Sequence, residues 1–267
     1  MSPTIDINFL KEYGYCVIEG GVSPDLIKAY KDKYPDELTR AVEPFLSYLP
    51  SREEYLENQT ILDITFNDMM QQYFASTGAT YSLHLSEARL GSSNISWHRD
   101  FNPNLEVDKF NGTVESGEHY LGMLTCIDDF GVGSGPFEVV PGSHKWIIDR
   151  TVINYENMMK NPAKCYAYYG LLIDELKNNT GVTPYQFKGK SGDVIVWFGA
   201  SVHRGAPASS AFSENERFRN SLIGHYSAVP FSEIQNSHRA HRKDKKYLQV
   251  KSANNCYQTI HDNKRQI

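Results

Sequence analysis

From about residue 81 to residue 227 the chain is written in a period of two. The runs Tyr81 to Arg89, Asn94 to Asp100, Tyr120 to Asp128, Phe137 to Val140, Tyr185 to Phe187, Asp193 to Phe198 and Ser221 to Ser227 read as strands. Turn sequences fall between them at Leu90-Gly91-Ser92-Ser93, Asn111-Gly112, Gly131 to Gly135, Pro141-Gly142 and Ser191-Gly192. A short strand must bury a face against something else. This many of them, late in a chain that begins with helical patterns, predict a jelly roll with helices packed outside it. The expected fold class is therefore mainly β with flanking helices.

Those helical patterns begin at Asp6, with Ile7, Phe9, Leu10 and Tyr13 as apolar positions, and a strand at Tyr15 and Val17 follows before Gly20-Gly21. Ser23 caps the next helix, Pro24 takes its first position, and Leu26, Ile27 and Tyr30 face inward. Ser51-Arg52-Glu53-Glu54 carries a serine-to-glutamate capping pattern and predicts a helix running to about Phe74. Its stripe of Leu62, Phe66, Met69, Met70 and Tyr73 is assigned to core packing. Between Trp146 and Thr180 a helical period returns through Ile153, Met158, Met159, Tyr169, Leu172 and Leu176, and we read it as an insertion packed outside the barrel rather than as a lid. With 267 residues, 40% of them hydrophobic, one domain has material enough for its core. We expect residues 1–80 to be mostly helical support, 81–230 the jelly-roll core with 147–180 inserted, and 231–267 a tail.

A net charge of −5 gives no general attraction to nucleic acid or to an anionic membrane, so the expected partner is a small-molecule substrate. The basic run from Ser237 to Lys246 is read as a solvated face rather than a nucleic-acid contact. Cys16, Cys126, Cys165 and Cys256 are far apart and form no C-x-x-C pair, which points to a reducing compartment. With neither a leader pattern nor an 18-residue apolar stretch in view, the expected location is the cytoplasm. Nothing in the sequence sets an oligomeric state.

Chemistry enters at Ile95-Ser96-Trp97-His98-Arg99-Asp100. On a strand, His98 and Asp100 share a face, and a neutral imidazole with a carboxylate suits a first-row divalent metal such as iron(II). A second histidine would complete a facial triad with open positions; an ordinary surface ion pair has the same spelling. About a hundred residues on, Gly192 to Gly205 reads as a turn, a buried strand and then His203 just past the strand's end, either a ligand or a structural histidine. Beyond it, Arg217 and Arg219 precede another strand, and arginine is the side chain that holds a carboxylate through two charged hydrogen bonds.

Taken in order, Gly14 to Gly20, His98-Arg99-Asp100, Ile127-Asp128-Asp129, Gly135 through Pro141-Gly142-Ser143-His144-Lys145, Gly192-Asp193 to His203, and Arg219 before Asn220-Ser221-Leu222 resemble the phytanoyl-CoA dioxygenase family of iron(II)- and 2-oxoglutarate-dependent oxygenases. The resemblance implies a double-stranded β-helix, the cupin-like jelly roll. It makes His98, Asp100 and His203 the metal ligands and catalytic residues, with iron(II), 2-oxoglutarate and dioxygen as cofactor and cosubstrates. It makes Arg219 the partner of the distal carboxylate of 2-oxoglutarate and puts Leu85 and Leu124 near the cosubstrate. The interval from His203 to Arg219 exceeds the family's, with Ala208 to Glu214 as the extra loop, so Arg217 remains a substitute. His144 is read as a turn histidine that satisfies nearby backbone, and Arg99 is not assigned to substrate.

The activity the resemblance implies is hydroxylation of an aliphatic C–H, with release of succinate and carbon dioxide. A carboxylate at Asp100 speaks against halogenation, which in related enzymes uses a small residue there. Tyr81, Ser82, His84, Ser86, Arg89, Asn94 and Ser96 favour a small polar or anionic substrate over a fatty acyl thioester. The rival reading is a catalytically silent barrel that binds metal as a sensor or binding module.

Overall fold

Asp6 and Ser23 start the first two helices by the same device, a side-chain oxygen that accepts from a backbone N–H three residues on: Phe9 N at 3.0 Å and Leu26 N at 3.3 Å. Helix α1 (Ile7–Tyr13) stops at Gly14, whose φ of 81° is the left-handed conformation that closes a helix. Strand β1 (Tyr15–Ile18) and helix α2 (Pro24–Lys33) follow. The structure, a computed structural model, describes residues 3–34, 59–77, 82–90, 95–100, 120–130, 133–149, 151–153, 157, 160–211, 219–227 and 248–249.

The single helix expected to reach Phe74 is two: α3 (Gln59–Thr65) and α4 (Asp68–Thr77). Asn67 makes the break. Its side chain donates to Ile64 O at 3.1 Å and accepts from Met70 N at 3.0 Å, capping one helix onto the end of the other. The capping pattern at Ser51 to Glu54 lies outside the described residues. Phe66, Met69, Met70 and Tyr73 are buried, as a scaffold stripe should be.

Ten strands among the described residues form two antiparallel sheets. The larger contains β1, β2 (Ser82–Leu90), β4 (Tyr120–Cys126), β7 (Val194–Phe198), β9 (Asn220–Ser227) and β10 (Leu248–Gln249), in the order β1-β7-β4-β9-β2-β10. The smaller has the order β3-β8-β5-β6, from β3 (Ile95–His98), β5 (Phe137–Val139), β6 (Tyr185–Phe187) and β8 (His203–Gly205). Alternation assigns the faces. Leu121, Met123, Val196, Phe198, Leu222 and Tyr226 turn toward the helices, while Leu124, Ile195, Trp197 and Ile223 turn toward Phe137 and Val139 of the smaller sheet. With both faces covered, β7 is buried at every position, which is why its sequence is an unbroken apolar run.

His203, expected just past the end of β7, opens a strand of its own in the other sheet. The chain changes sheet through the turn at residues 199–202, as a jelly-roll corner requires. Helix α5 (Pro162–Thr180) lies outside the smaller sheet, burying Cys165, Tyr169 and Ile173 with Val140, Ile148, Ile153 and Val202. The basic run from Ser237 to Lys246 lies outside the described residues. No helix among those described is long and apolar enough to cross a membrane.

Gly14 binds the amino-terminal segment to this corner. Its carbonyl accepts from Phe198 N at 3.0 Å and from Ser201 Oγ at 2.8 Å, and a Cβ on it would sit 2.4 Å from His144 Nδ1 and 2.5 Å from Ser201 Oγ. Gly14→Ala is expected to cost at least ~1 kcal/mol, a fall of roughly 2–4 °C or more in Tm for a chain of this size. An unchanged melting temperature would contradict this account of the corner.

Candidate metal centre

Strand pairing brings the two distant histidines together. In the antiparallel β3–β8 register His98 stands opposite His203, with ring centroids 4.4 Å apart. Asp100 arrives differently from the way its spacing suggested: β3 ends at His98, and Asp100 lies in a bend beyond it. The chain's turn, not the pleat of a strand, delivers the carboxylate.

Arg99 shows what holds that turn. Its buried guanidinium donates through Nη2 to the carbonyls of Ser143 and Trp146, away from the centre, and burial lowers its pKa to about 10. Ser143 in turn donates to Val140 O at 2.7 Å and accepts from Val202 N at 2.8 Å, joining the end of β5 to the start of β8. His144 meets Lys11 O at 3.1 Å through Nε2, the backbone-satisfying role expected of it. The Pro-Gly-Ser-His-Lys run is thus a clasp beside the site.

The three polar side chains converge. Asp100 Oδ1 is 3.8 Å from His98 Nε2, and Asp100 Oδ2 is 3.3 Å from His203 Nε2. One candidate ligand atom from each residue lies within 4.8 Å of the others, with Asp100 and His203 buried and His98 half-buried. Each imidazole uses its other nitrogen on the carbonyl two residues back: His98 Nδ1 to Ser96 O at 2.7 Å, and His203 Nδ1 to Ser201 O at 2.9 Å. A carbonyl only accepts, so the proton of a neutral imidazole is on Nδ1 and the Nε2 lone pair faces Asp100. Two imidazole lone pairs and a carboxylate pointing at one another call for a cation, and this N,N,O set on one side of it suits a first-row divalent metal.

Leu124, Phe137, Trp197, Gly205, Arg219, Ile223 and His225 complete a cavity of about 40 Å³ around these groups. Arg219, immediately before β9, is 1% exposed and donates to Gly135 O at 2.9 Å with its guanidinium 5.2 Å from the ring centre of Phe130. Arg217 lies outside the described residues. Leu124 reaches the cavity from β4, and Leu85 is placed by its backbone in β2, opposite His225.

Two cavity residues that approach the Asp100 carboxylate were not singled out from the sequence. Trp197 donates Nε1–H to Asp100 Oδ2 at 3.0 Å. His225 stands with Nδ1 3.6 Å from the same oxygen and 3.3 Å from the Tyr120 hydroxyl. The signal for His225 was present, because a period of two carried on from Arg219 through Ile223 reaches it. For Trp197 it required knowing which face of β7 turns inward.

The sequence model of the phytanoyl-CoA dioxygenase family matches residues 10–215, and the chain belongs to that family. The match includes His98, Asp100 and His203 and ends just before Arg219. No curated protein sequence matches the chain. Solved structures share the fold at low identity. SnoN, an epimerase described in complex with Fe3+, alpha ketoglutarate and nogalamycin RO, is 14% identical with a TM-score of 0.54, over 89% of this chain and 90% of its own. SnoK, a non-heme alpha ketoglutarate dependent carbocyclase from nogalamycin biosynthesis, is 15% identical with a TM-score of 0.54, over 82% and 81%. AviO1 from Streptomyces viridochromogenes Tue57 is 16% identical with a TM-score of 0.51, over 84% and 95%.

Arg99→Met is expected to destabilise the chain by about 2–4 kcal/mol, since it leaves two carbonyls beside the centre without their charged donor. Chemical denaturation measures this, and a loss below ~0.5 kcal/mol, the range of ordinary surface changes, would show that Arg99 does not secure the turn.

Proposed function

We propose that this member of the phytanoyl-CoA dioxygenase family is an iron(II)- and 2-oxoglutarate-dependent oxygenase whose metal ligands and catalytic residues are His98, Asp100 and His203. One observation carries the reading: the three lone-pair donors converge in the same cavity that the buried Arg219 also lines. When bound, iron(II) with 2-oxoglutarate and dioxygen supplies the oxidation of a substrate C–H with release of succinate and carbon dioxide.

The chain's own part is to bind, orient and exclude. Nε2 of His98, Nε2 of His203 and the Asp100 carboxylate would hold the metal, and three protein ligands would leave positions for cosubstrate and dioxygen. Arg219 takes the distal carboxylate of 2-oxoglutarate. Its planar guanidinium can meet a carboxylate with two parallel hydrogen bonds, and its bond to Gly135 O fixes its direction before the cosubstrate arrives. Leu124, Ile223 and Phe137 keep bulk water off the reacting atoms, which strengthens that ion pair. Leu85 is proposed to border the cosubstrate as well. The metal end of the cavity is polar on its His225 side, which supports a small polar or anionic metabolite as substrate.

Hydroxylation is the outcome we assign, although the names of SnoN and SnoK, an epimerase and a carbocyclase, show the fold in other service. A silent metal-binding barrel would use the three ligands but has no need of an arginine buried at 1% exposure in the same cavity.

The test is succinate formation by the whole chain with iron(II), 2-oxoglutarate and oxygen in the absence of substrate. Slow uncoupled turnover is expected, lost in His98→Ala, Asp100→Ala and His203→Ala. Arg219→Ala is expected to raise the half-saturating 2-oxoglutarate concentration ~30-fold or more, the equivalent of about 2 kcal/mol for removing one partner of a buried ion pair. An unchanged requirement would move the anchor to Arg217, and no succinate from folded, iron-loaded protein would leave the silent barrel.

A further inference from the structure

Asp100 has two carboxylate oxygens, and a facial triad uses one. In a buried site the other needs a donor of its own, or the carboxylate is free to rotate and to chelate the metal through both. We propose that Trp197 is the positioning residue that fixes Asp100, and that Gly122 is kept without a side chain to seat it. The proposal rests on Asp100 being a metal ligand.

The indole Nε1–H donates to Asp100 Oδ2 at 3.0 Å. An indole nitrogen only donates, so this bond has one sense, from the ring to the carboxylate. The ring itself has little freedom. It is 1% exposed, lies 4.6 Å from the ring of Phe137 and 5.3 Å from that of His203, and meets His225 edge-on at 6.0 Å. One side chain therefore touches the carboxylate ligand and flanks one of the imidazole ligands.

Gly122 explains how so large a ring reaches the site. It stands opposite Trp197 in the β4–β7 register, and a Cβ there would fall 2.1 Å from Cε2 and Cζ2 and 2.7 Å from Nε1. Its φ is not positive, so conformational freedom is not what the position requires. Space is. A glycine within a central strand costs stability, and here it lets the indole pass close over the backbone and aim its N–H at Asp100.

The test uses the whole chain and cobalt(II) alone as the probe, reading the dissociation constant, the visible ligand-field spectrum and the melting temperature of the metal-free protein. Trp197→Phe removes the donor. Gly122→Ala keeps the indole but displaces it, so it carries the prediction even if the first variant folds poorly. Both are expected to weaken cobalt(II) binding about 10- to 100-fold, the range for loss of a partner that orients a ligand. Both are also expected to alter the ligand-field spectrum as Asp100 changes its mode of coordination. A purely packing role would lower the melting temperature and leave spectrum and affinity at their wild-type values, and that result in either folded variant overturns the proposal. Asp100→Ala separates the premise: if it too binds cobalt(II) like the wild type, the metal reading of Asp100 is what has failed.

Discussion

Two imidazole lone pairs and a carboxylate directed at one another inside a cleft form a repulsive arrangement unless a cation sits among them, and the rest of the structure serves to hold them there. Each imidazole spends its Nδ1 proton on a carbonyl two residues back, Ser96 or Ser201, which fixes the tautomer and the direction of the ring at once. The β3–β8 register sets one ring against the other. The turn after β3, secured through Arg99, brings in the carboxylate.

The support comes from both faces of the sandwich. On the outside of the larger sheet, Tyr226 donates to Thr65 O and packs its ring against Phe66 and Phe74, so β9 is held from behind while its other face presents Arg219, Ile223 and His225 to the cavity. On the smaller sheet, Arg204 donates to Glu138 at 2.6 Å and stacks over Trp97 at 4.4 Å, locking β3, β8 and β5 into one register on the face away from the cavity. Helix α5 and the clasp at Ser143 close that side. The odd and even positions of each strand thus have separate tasks, and this period of two is what made the strands readable.

How much was legible follows from where the information resides. Most strands were, because alternation is local, and their observed limits differ from the expected ones by a residue or two; β8, which His203 opens in the opposite sheet, and β10, which pairs with β2 from within the expected tail, were not foreseen. The long helix was misread because the capping competence of Asn67 is apparent only when its side chain is seen to serve both neighbours. His98 and Asp100 were found by a spacing argument whose premise, a shared strand, does not hold beyond His98. Trp197 escaped because its relevance depends on strand register and facing, settled by long-range pairing, whereas His225 lay on the period of two that runs from Arg219 and was passed over. Gly122 shows the same limit: nothing local distinguishes it from a weak strand residue until the indole opposite is known.

The account stands most directly on whether one metal ion, held by these ligands, is chelated by 2-oxoglutarate with Arg219 at its far end. An anaerobic titration of the metal-free chain with iron(II) and then 2-oxoglutarate measures this through the weak visible charge-transfer absorption that such a chelate gives. The account predicts a band at one equivalent of iron that needs both additions, is absent in His98→Ala, and in Arg219→Ala forms only at much higher 2-oxoglutarate. A folded protein that binds iron and gives no band at any 2-oxoglutarate concentration would contradict it.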